Sequence, residues 1–457
     1  MDSTPSEPPH DAPHNAPSGT QPTSPAGPGA RTVASVVRRR LGEIRSGLEE
    51  LYKDLHSHPE LSFAETRTAS VVAGELERLG FQVRTGVGRT GVVGVLRNGE
   101  GPTVLLRADI DALPVREQTG LPYASASTGT DPDGKQVPVA HACGHDMHIT
   151  CLLGALDLLA GDTDQWSGTL VGVFQPAEEV GGGARAMVDD GLFEEIGDPD
   201  VVLGQHVAPF PAGLLACHPG PALAASDGLR VRMFGKGAHG SRPESAVDPV
   251  VMGASTVLRL QTVVSREIAA SDTAVLTVGA FHSGTKDNVI PDEAELLINI
   301  RTYTEDVRAT VLAAVERIVK AEASAAGAAR EPEITPVSAF PVLVNDEEAA
   351  ARTVAALRGH FGEQAVLDPG PATASEDCGV LGTESGAPVC YWYVGGCDPE
   401  IYRAAEQSGT TPRDIPSNHS PFFAPLIQPT VDTGVRAMTV AALTWLGRGH
   451  GHAPPPR

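Results

Sequence analysis

Within His141-Ala-Cys-Gly-His-Asp146 two imidazoles, a thiol and a carboxylate fall in six consecutive residues, directly ahead of an apolar run with helical spacing. Thiolate, neutral imidazole and carboxylate are the donors that hold a borderline-soft divalent ion such as Zn²⁺, and Cys143 and His145 are spaced to share one. Alone, the hexapeptide also reads as a polar cap on the helix that begins near Asp146. Further donors elsewhere in the chain decide between the two readings.

Phe174-Gln-Pro-Ala-Glu-Glu179 places two adjacent carboxylates in a turn after an apolar strand, followed by Gly181-Gly-Gly183 and a helix. Such a pair is often only an acidic surface loop. Beside a metal it has a division of labour open to it: one carboxylate binds the ion while the other shuttles protons. His206 and His419 are weak signals singly. Taken together, Cys143, His145, Glu179, His206 and His419 form a ligand set for one or two divalent ions and leave Glu178 spare.

The elements that must gather these residues follow from pattern. Helical periods alternate with short β-rich runs, which predicts an α/β fold with a mostly parallel central sheet. Strands are expected at 92–96, 103–107, 169–174 and 201–204. Asp109 and Asp111 then fall just beyond the second, Glu178 and Glu179 beyond the third, and His206 beyond the fourth. Ligand sites of open α/β sheets lie at such carboxyl ends. The middle third reads β (229–234), α (246–268), β (274–278), β (295–300), α (306–323), β (333–337), the βαββαβ plan of a small ferredoxin-like domain. The expected organisation is a Pro-rich disordered tail (1–30), a first portion of the large domain (31–221), the inserted domain (222–338), a second portion (339–448) and a disordered tail (449–457), whose two histidines are given no role.

At 457 residues the chain is too long for one ordinary domain, and its 41% apolar content is ample for real cores. A net charge of −23 argues against nucleic-acid or anionic-membrane partners. Six scattered cysteines do not form a disulfide framework, no run of eighteen apolar residues occurs, and the N-terminus lacks the basic and apolar regions of a secretory signal. The expectation is a cytoplasmic protein with mostly reduced thiols.

Six ordered motifs resemble one family. Leu106-Arg-Ala-Asp-Ile-Asp-Ala-Leu-Pro114, His141-Ala-Cys-Gly-His-Asp146, Phe174-Gln-Pro-Ala-Glu-Glu179, Gly237-Ala-His-Gly-Ser-Arg-Pro243, Asn288-Val-Ile-Pro291 and Ser375-Glu-Asp377 are similar, in that order, to the aminoacylase, hippurate hydrolase and indoleacetyl-amino-acid hydrolase family of zinc metallopeptidases. The likeness is nearest to bacterial N-acyl-L-amino-acid amidohydrolases. It implies a catalytic domain interrupted by a lid and dimerisation domain, and metal ligation by Cys143, His145, Glu179, His206 and His419. It further implies Glu178 as general base, His239 as a lid residue that reaches a neighbouring subunit's site and polarises the scissile carbonyl, and Asn288 as a lid residue near the substrate's carboxylate or carbonyl. Asp109, Asp111, His141 and Asp146 would stand behind the ligands and orient them or the α-helix. The chain departs from many relatives in having Asn418-His-Ser-Pro421 where they have His-His-Pro, and Cys378 where they have an aromatic residue.

The expected activity is hydrolysis of N-acyl-L-amino acids by a homodimer with up to two ions per subunit. Zn²⁺ is favoured by the thiolate, with Mn²⁺ or Co²⁺ as alternatives. A dipeptidase or aminopeptidase is the close rival, because the chemistry at the amide is the same. A non-catalytic zinc-binding protein is the distant one; it leaves Glu178 and His239 idle.

Overall fold

The computed structural model describes residues 28–446; most of both expected tails lies outside the described residues. Helix α1 (Pro28–Ser57) begins inside the last three residues allotted to the first tail. It is followed by α2 (Thr66–Arg78), β1 (Gln82–Val87), β2 (Gly91–Asn98), β3 (Thr103–Asp109), α3 (His145–Ala160), β4 (Gly168–Gln175), β5 (Val201–Pro211) and the short β6 (Leu215–Ala216). The insert supplies β7 (Ala225–Phe234), α4 (Pro249–Arg266), β8 (Ala274–Ser283), β9 (Glu293–Thr302), α5 (Glu305–Ala325) and β10 (Glu333–Phe340). Then come α6 (Glu347–Phe361), β11 (Val366–Leu367), β12 (Val389–Cys397) and α7 (Ile427–Leu446).

The large sheet has the order β1-β2-β4-β3-β5-β12-β6-β11. Its centre, β4-β3-β5-β12, is parallel throughout, while β1, β2 and β6 add antiparallel pairings toward the edges. Parallel strands covered on both faces read as unbroken apolar runs, and Val104-Leu-Leu106 is wholly buried. The helix α3 is buried over nearly its whole length, packed among α1, α7 and β3, so its apolar residues run all round rather than along one stripe.

The insert forms a four-stranded antiparallel sheet in the order β8-β9-β7-β10, the ferredoxin-like arrangement of a βαββαβ chain. The helices α4 and α5 close a separate core around Val231, Leu296, Ile298, Val311 and Val315. The strand β9 is tied to the large domain: Arg301 donates to the Thr373 carbonyl (2.7 Å) and the Ser375 hydroxyl (2.9 Å), and Tyr303 to the Ala372 carbonyl (3.0 Å).

Two placements differ from expectation. Asp109 is the last residue of β3 rather than beyond it, and His206 lies inside β5, which runs seven residues past Gly204. The extra length is held by continuous parallel pairing of β5 with β12, from Val202–Val389 to Ala208–Gly395. Among the described residues all six cysteines are free, and no helix is long and apolar enough to cross a membrane.

Candidate metal centre

The turn before α3 carries Cys143, and α3 itself begins with His145. Between them Gly144 takes φ +85°, and a Cβ there would lie 2.4 Å from Val207 Cγ1. Only glycine lets this turn press against β5. As a result Cys143 Sγ comes within 3.4 Å of His206 Nε2. The His206 Nδ1–H donates to the Val207 carbonyl at 2.7 Å, which leaves the Nε2 lone pair facing the thiol.

The Glu pair enters from the end of β4. Ala177 adopts φ +50°, in the left-handed region, and the chain then passes Gly183, where a Cβ would collide with the Pro176 carbonyl. This tight turn brings Glu179 Oε1 to 3.7 Å and Glu178 Oε2 to 4.0 Å from His145 Nε2. His419 completes the cluster from the other end of the chain. Its amide donates to the Ala142 carbonyl (2.7 Å), its φ is +70°, and its Nε2 lies 3.4 Å from Glu179 Oε2.

Donor atoms of Cys143, Glu179 and His419 lie within 4.8 Å of one another, as do those of His145, Glu178 and Glu179. Glu179 belongs to both groups. A third group joins Asp109, His145, His148 and His206, and a fourth Glu178, Glu376 and Asp377. All five proposed ligands and the spare glutamate are thus gathered in one place, across 277 positions of sequence from Cys143 to His419, both ends counted.

Several residues here have roles that motif reading did not assign, although Arg107, Gln175, Glu376 and Asp377 lie inside the motifs named above. His148, one helical turn beyond His145, donates from Nδ1 to Asp109 (2.5 Å) and accepts at Nε2 from the Val207 amide (2.8 Å). With both nitrogens occupied it serves as a brace, not a ligand. Arg107 is fully buried and binds Asp109 (2.9 Å), Gln175 (2.9 Å), Glu376 (2.7 and 3.1 Å) and Asp377 (3.2 Å). Tyr391 adds a hydroxyl to Glu376 at 2.5 Å. His148 was findable from its i, i+3 spacing to His145; the members of the Arg107 cluster lie in separate motifs, and no local signal says that they pair.

Of the remaining expected residues, Asp111 accepts the amides of both Glu178 and Glu179 at 3.1 Å. Asp146 turns away from the ligands, to His56 Nδ1 at 2.7 Å and the Met147 amide at 2.9 Å. His141 is buried without a hydrogen-bond partner at either nitrogen, and burial pushes its pKa down to about 4. His239 and Asn288 lie on the lid, exposed, where Ala238–His239 pairs with Val289–Ile290. They are absent from the four donor groups. The Ser241 amide and hydroxyl both reach His239 Nδ1, at 3.1 and 2.8 Å, so the ring proton sits on Nε2.

Burial raises the Glu178 carboxyl well above its usual range, and Glu376, Glu179 and Asp377 add repulsion. Burial likewise pushes the Cys143 thiol up, with Glu179 and Glu178 adding to it. Asp377 is pushed up to about 7 by burial and Glu376, against the pull of Arg107. His206 is held well below its usual range by burial and by His148, so its ring is neutral. Asp109 goes the other way: against its burial, His145, His148 and Arg107 hold it well below the usual range.

The residues fit a divalent ion. Both nitrogens of His145 and Oε1 of Glu179 are buried without a hydrogen-bond partner, which is costly for polar groups unless something else satisfies them. Thiol, imidazole and carboxylate are the donor chemistry such an ion takes.

Residues 105–416 match the model of peptidase family M20/M25/M40. A hippurate hydrolase of Campylobacter jejuni is 38% identical over 340 residues, 74% of this chain and 85% of that protein. Thermostable carboxypeptidase 1 of Saccharolobus solfataricus is 35% identical over 358 residues, 77% of this chain and 86% of that protein. A solved structure of a dinuclear metal-binding peptidase of the M20 family from Bacillus subtilis superposes with a TM-score of 0.68 at 25% identity, over 88% of this chain and 99% of that one. By this match, these relatives and the donor cluster beneath them, the chain belongs to peptidase family M20/M25/M40 and is a metal-dependent amidohydrolase.

Proposed function

We propose that the enzyme hydrolyses N-acyl-L-amino acids to a carboxylate and a free L-amino acid, as a cytoplasmic homodimer. The observation that carries the reading is Glu178: a buried carboxyl beside Glu179, left over once the other donors have been assigned to metal. Cys143, His145, Glu179, His206 and His419 would hold up to two ions per subunit, and the thiolate favours Zn²⁺ over Mn²⁺ or Co²⁺. When bound, such an ion polarises the scissile carbonyl and lowers the pKa of water from ~15.7 to about 7.

In this reading Glu178 takes a proton from the attacking water, the new C–O bond forms at the acyl carbon, and Glu178 hands the proton to the departing amino nitrogen. Burial and Glu376 raise the proton affinity of Glu178, and the charge of a bound ion would offset that rise so that the carboxylate can take the water's proton. His239 donates its Nε2–H to the developing oxyanion, the tautomer being the one that Ser241 enforces. Asn288, in the turn just before the strand paired with that of His239, faces the substrate's carboxylate or carbonyl. His239 of the partner subunit serves each site; exposed apolar side chains on the lid, among them Val251, Leu258 and Val275, support association there.

Cleavage of a free-amine peptide uses the same chemistry, and the carboxypeptidase relative keeps that reading in view. Metal-stripped protein, replenished with single ions, is assayed on acetyl, benzoyl and long-chain acyl amino acids and on matching dipeptides. Acyl amino acids should be turned over with far higher kcat/KM and only after metal is restored. Dipeptides turned over equally well would overturn the assignment.

A further inference from the structure

The turn that carries Glu178 is held by a residue more than a hundred positions upstream. Glu65 sits at the N-cap of α2, yet its side chain makes no capping bond. That task falls to Glu60, whose carboxylate accepts the amides of Arg67 (3.0 Å) and Thr68 (2.8 Å). Glu65 instead points under the Glu178 turn: Oε1 accepts the Ala177 amide (2.9 Å) and the Phe63 amide (2.9 Å), and Oε2 accepts the Thr90 hydroxyl (2.5 Å).

Asp111 takes the next two amides, those of Glu178 and Glu179, at 3.1 Å each, and the Ser62 hydroxyl at 2.7 Å. Three consecutive backbone N–H groups are therefore held by two buried carboxylates. The turn needs such holding, because Ala177 stands at φ +50°, a conformation that an L side chain rarely adopts unless its surroundings impose it. Glu65 is fully buried and forms no ion pair with any described residue. A carboxylate buried without a cation is costly, offset here only by the hydrogen bonds it accepts.

We infer that Glu65 is a positioning residue for hydrolysis: with Asp111 it fixes the strained Ala177–Glu179 turn, and so sets where the Glu178 carboxyl stands relative to the ligand cluster. The inference rests on Glu178 acting as the general base. Misplacing a catalytic group by about 1 Å lowers rate by up to ~10²-fold, so the effect belongs in kcat rather than in KM.

The test compares full-length E65A, E65Q and T90V with the parent chain. Amide hydrogen exchange is read on metal-free protein without substrate, and kcat, KM and metal content on the loaded enzyme. In E65A, exchange across 176–180 should rise at least about tenfold while α3 is unchanged, and kcat should fall about tenfold or more with KM and metal content held. E65Q keeps an acceptor for both amides and offers an N–H to Thr90, so it should restore most of both. Unchanged exchange in E65A, or E65Q as impaired as E65A, overturns the inference. Should E65A not fold, T90V decides: it removes one donor to Glu65, and an unaltered exchange rate at the turn overturns the inference equally. The exchange readout does not depend on substrate, so it judges the anchor even where Glu178 proves not to be the base.

Discussion

The ligand cluster and the lid tip are built on opposite terms. Around His145 the donors other than His419 are buried or half-buried, and they are brought within 4.8 Å of their neighbours by one chain. On the lid, His239 and Asn288 are exposed, held by a two-residue strand pair, by Ser241 and by backbone bonds within the same turn, and outside the donor cluster. In the proposed mechanism one half of the chemistry is assembled in advance, and the other is carried on a separate core that would have to be brought to it by closure or by association; the difference would separate residues whose loss disables chemistry from residues whose loss disables delivery.

Substitution of the spare base should produce the largest effect. E178Q is expected to lower kcat by about 10³-fold while metal content stays at the parent level, measured by elemental analysis alongside turnover. A Gln variant with full metal and near-parent turnover would remove Glu178 from the mechanism. H239A should cost about 10²-fold in kcat, again with metal retained. The two variants together sharpen the comparison: mixing E178Q and H239A protein under conditions of subunit exchange should recover activity, because each supplies what the other's site lacks. No recovery in confirmed mixed dimers would place His239 in its own subunit's chemistry or outside it.

A smaller effect is expected in stability. Against burial, which lowers it, Asp146 and Glu117 raise the His56 pKa to about 10. A raised folded-state value gives stability that is complete below the unfolded pKa of ~6.5 and is lost as pH climbs from there through the folded value. Denaturation midpoints of the parent chain should therefore fall across that window, and those of H56N should fall less. Parallel slopes would show that the buried His56–Asp146 pair does not brace the start of α3.

Much of this was legible in the chain. Runs such as Val104-Leu-Leu106 announce parallel strands because burial on both faces removes alternation, whereas the insert's β7 and β9 alternate because one face is covered. The ligand types were legible because metal chemistry restricts them to a few side chains. Less visible were the groups that act through others. Arg107 meets Glu376 across 269 positions, and charge neutralisation at that range leaves no local pattern. Glu65 carries no local feature in the sequence that sets it apart from other acids. His206 was set beyond its strand because the apolar run stops at Gly204, while the backbone pairing with β12 continues past it.

That pairing also has a consequence for synthesis. The strand β12 is an interior strand, flanked by β5 and β6, yet it is made only after the whole ferredoxin-like insert. A growing chain that has reached residue 388 has a lid able to close on local contacts and a central sheet with the edge of β5 still open. Such an edge is a pairing hazard until it is filled. Translation order thus leaves the donor cluster incomplete until late: His419 is made only after every strand of the large sheet, so a chain that stops short of it lacks one of the clustered donors.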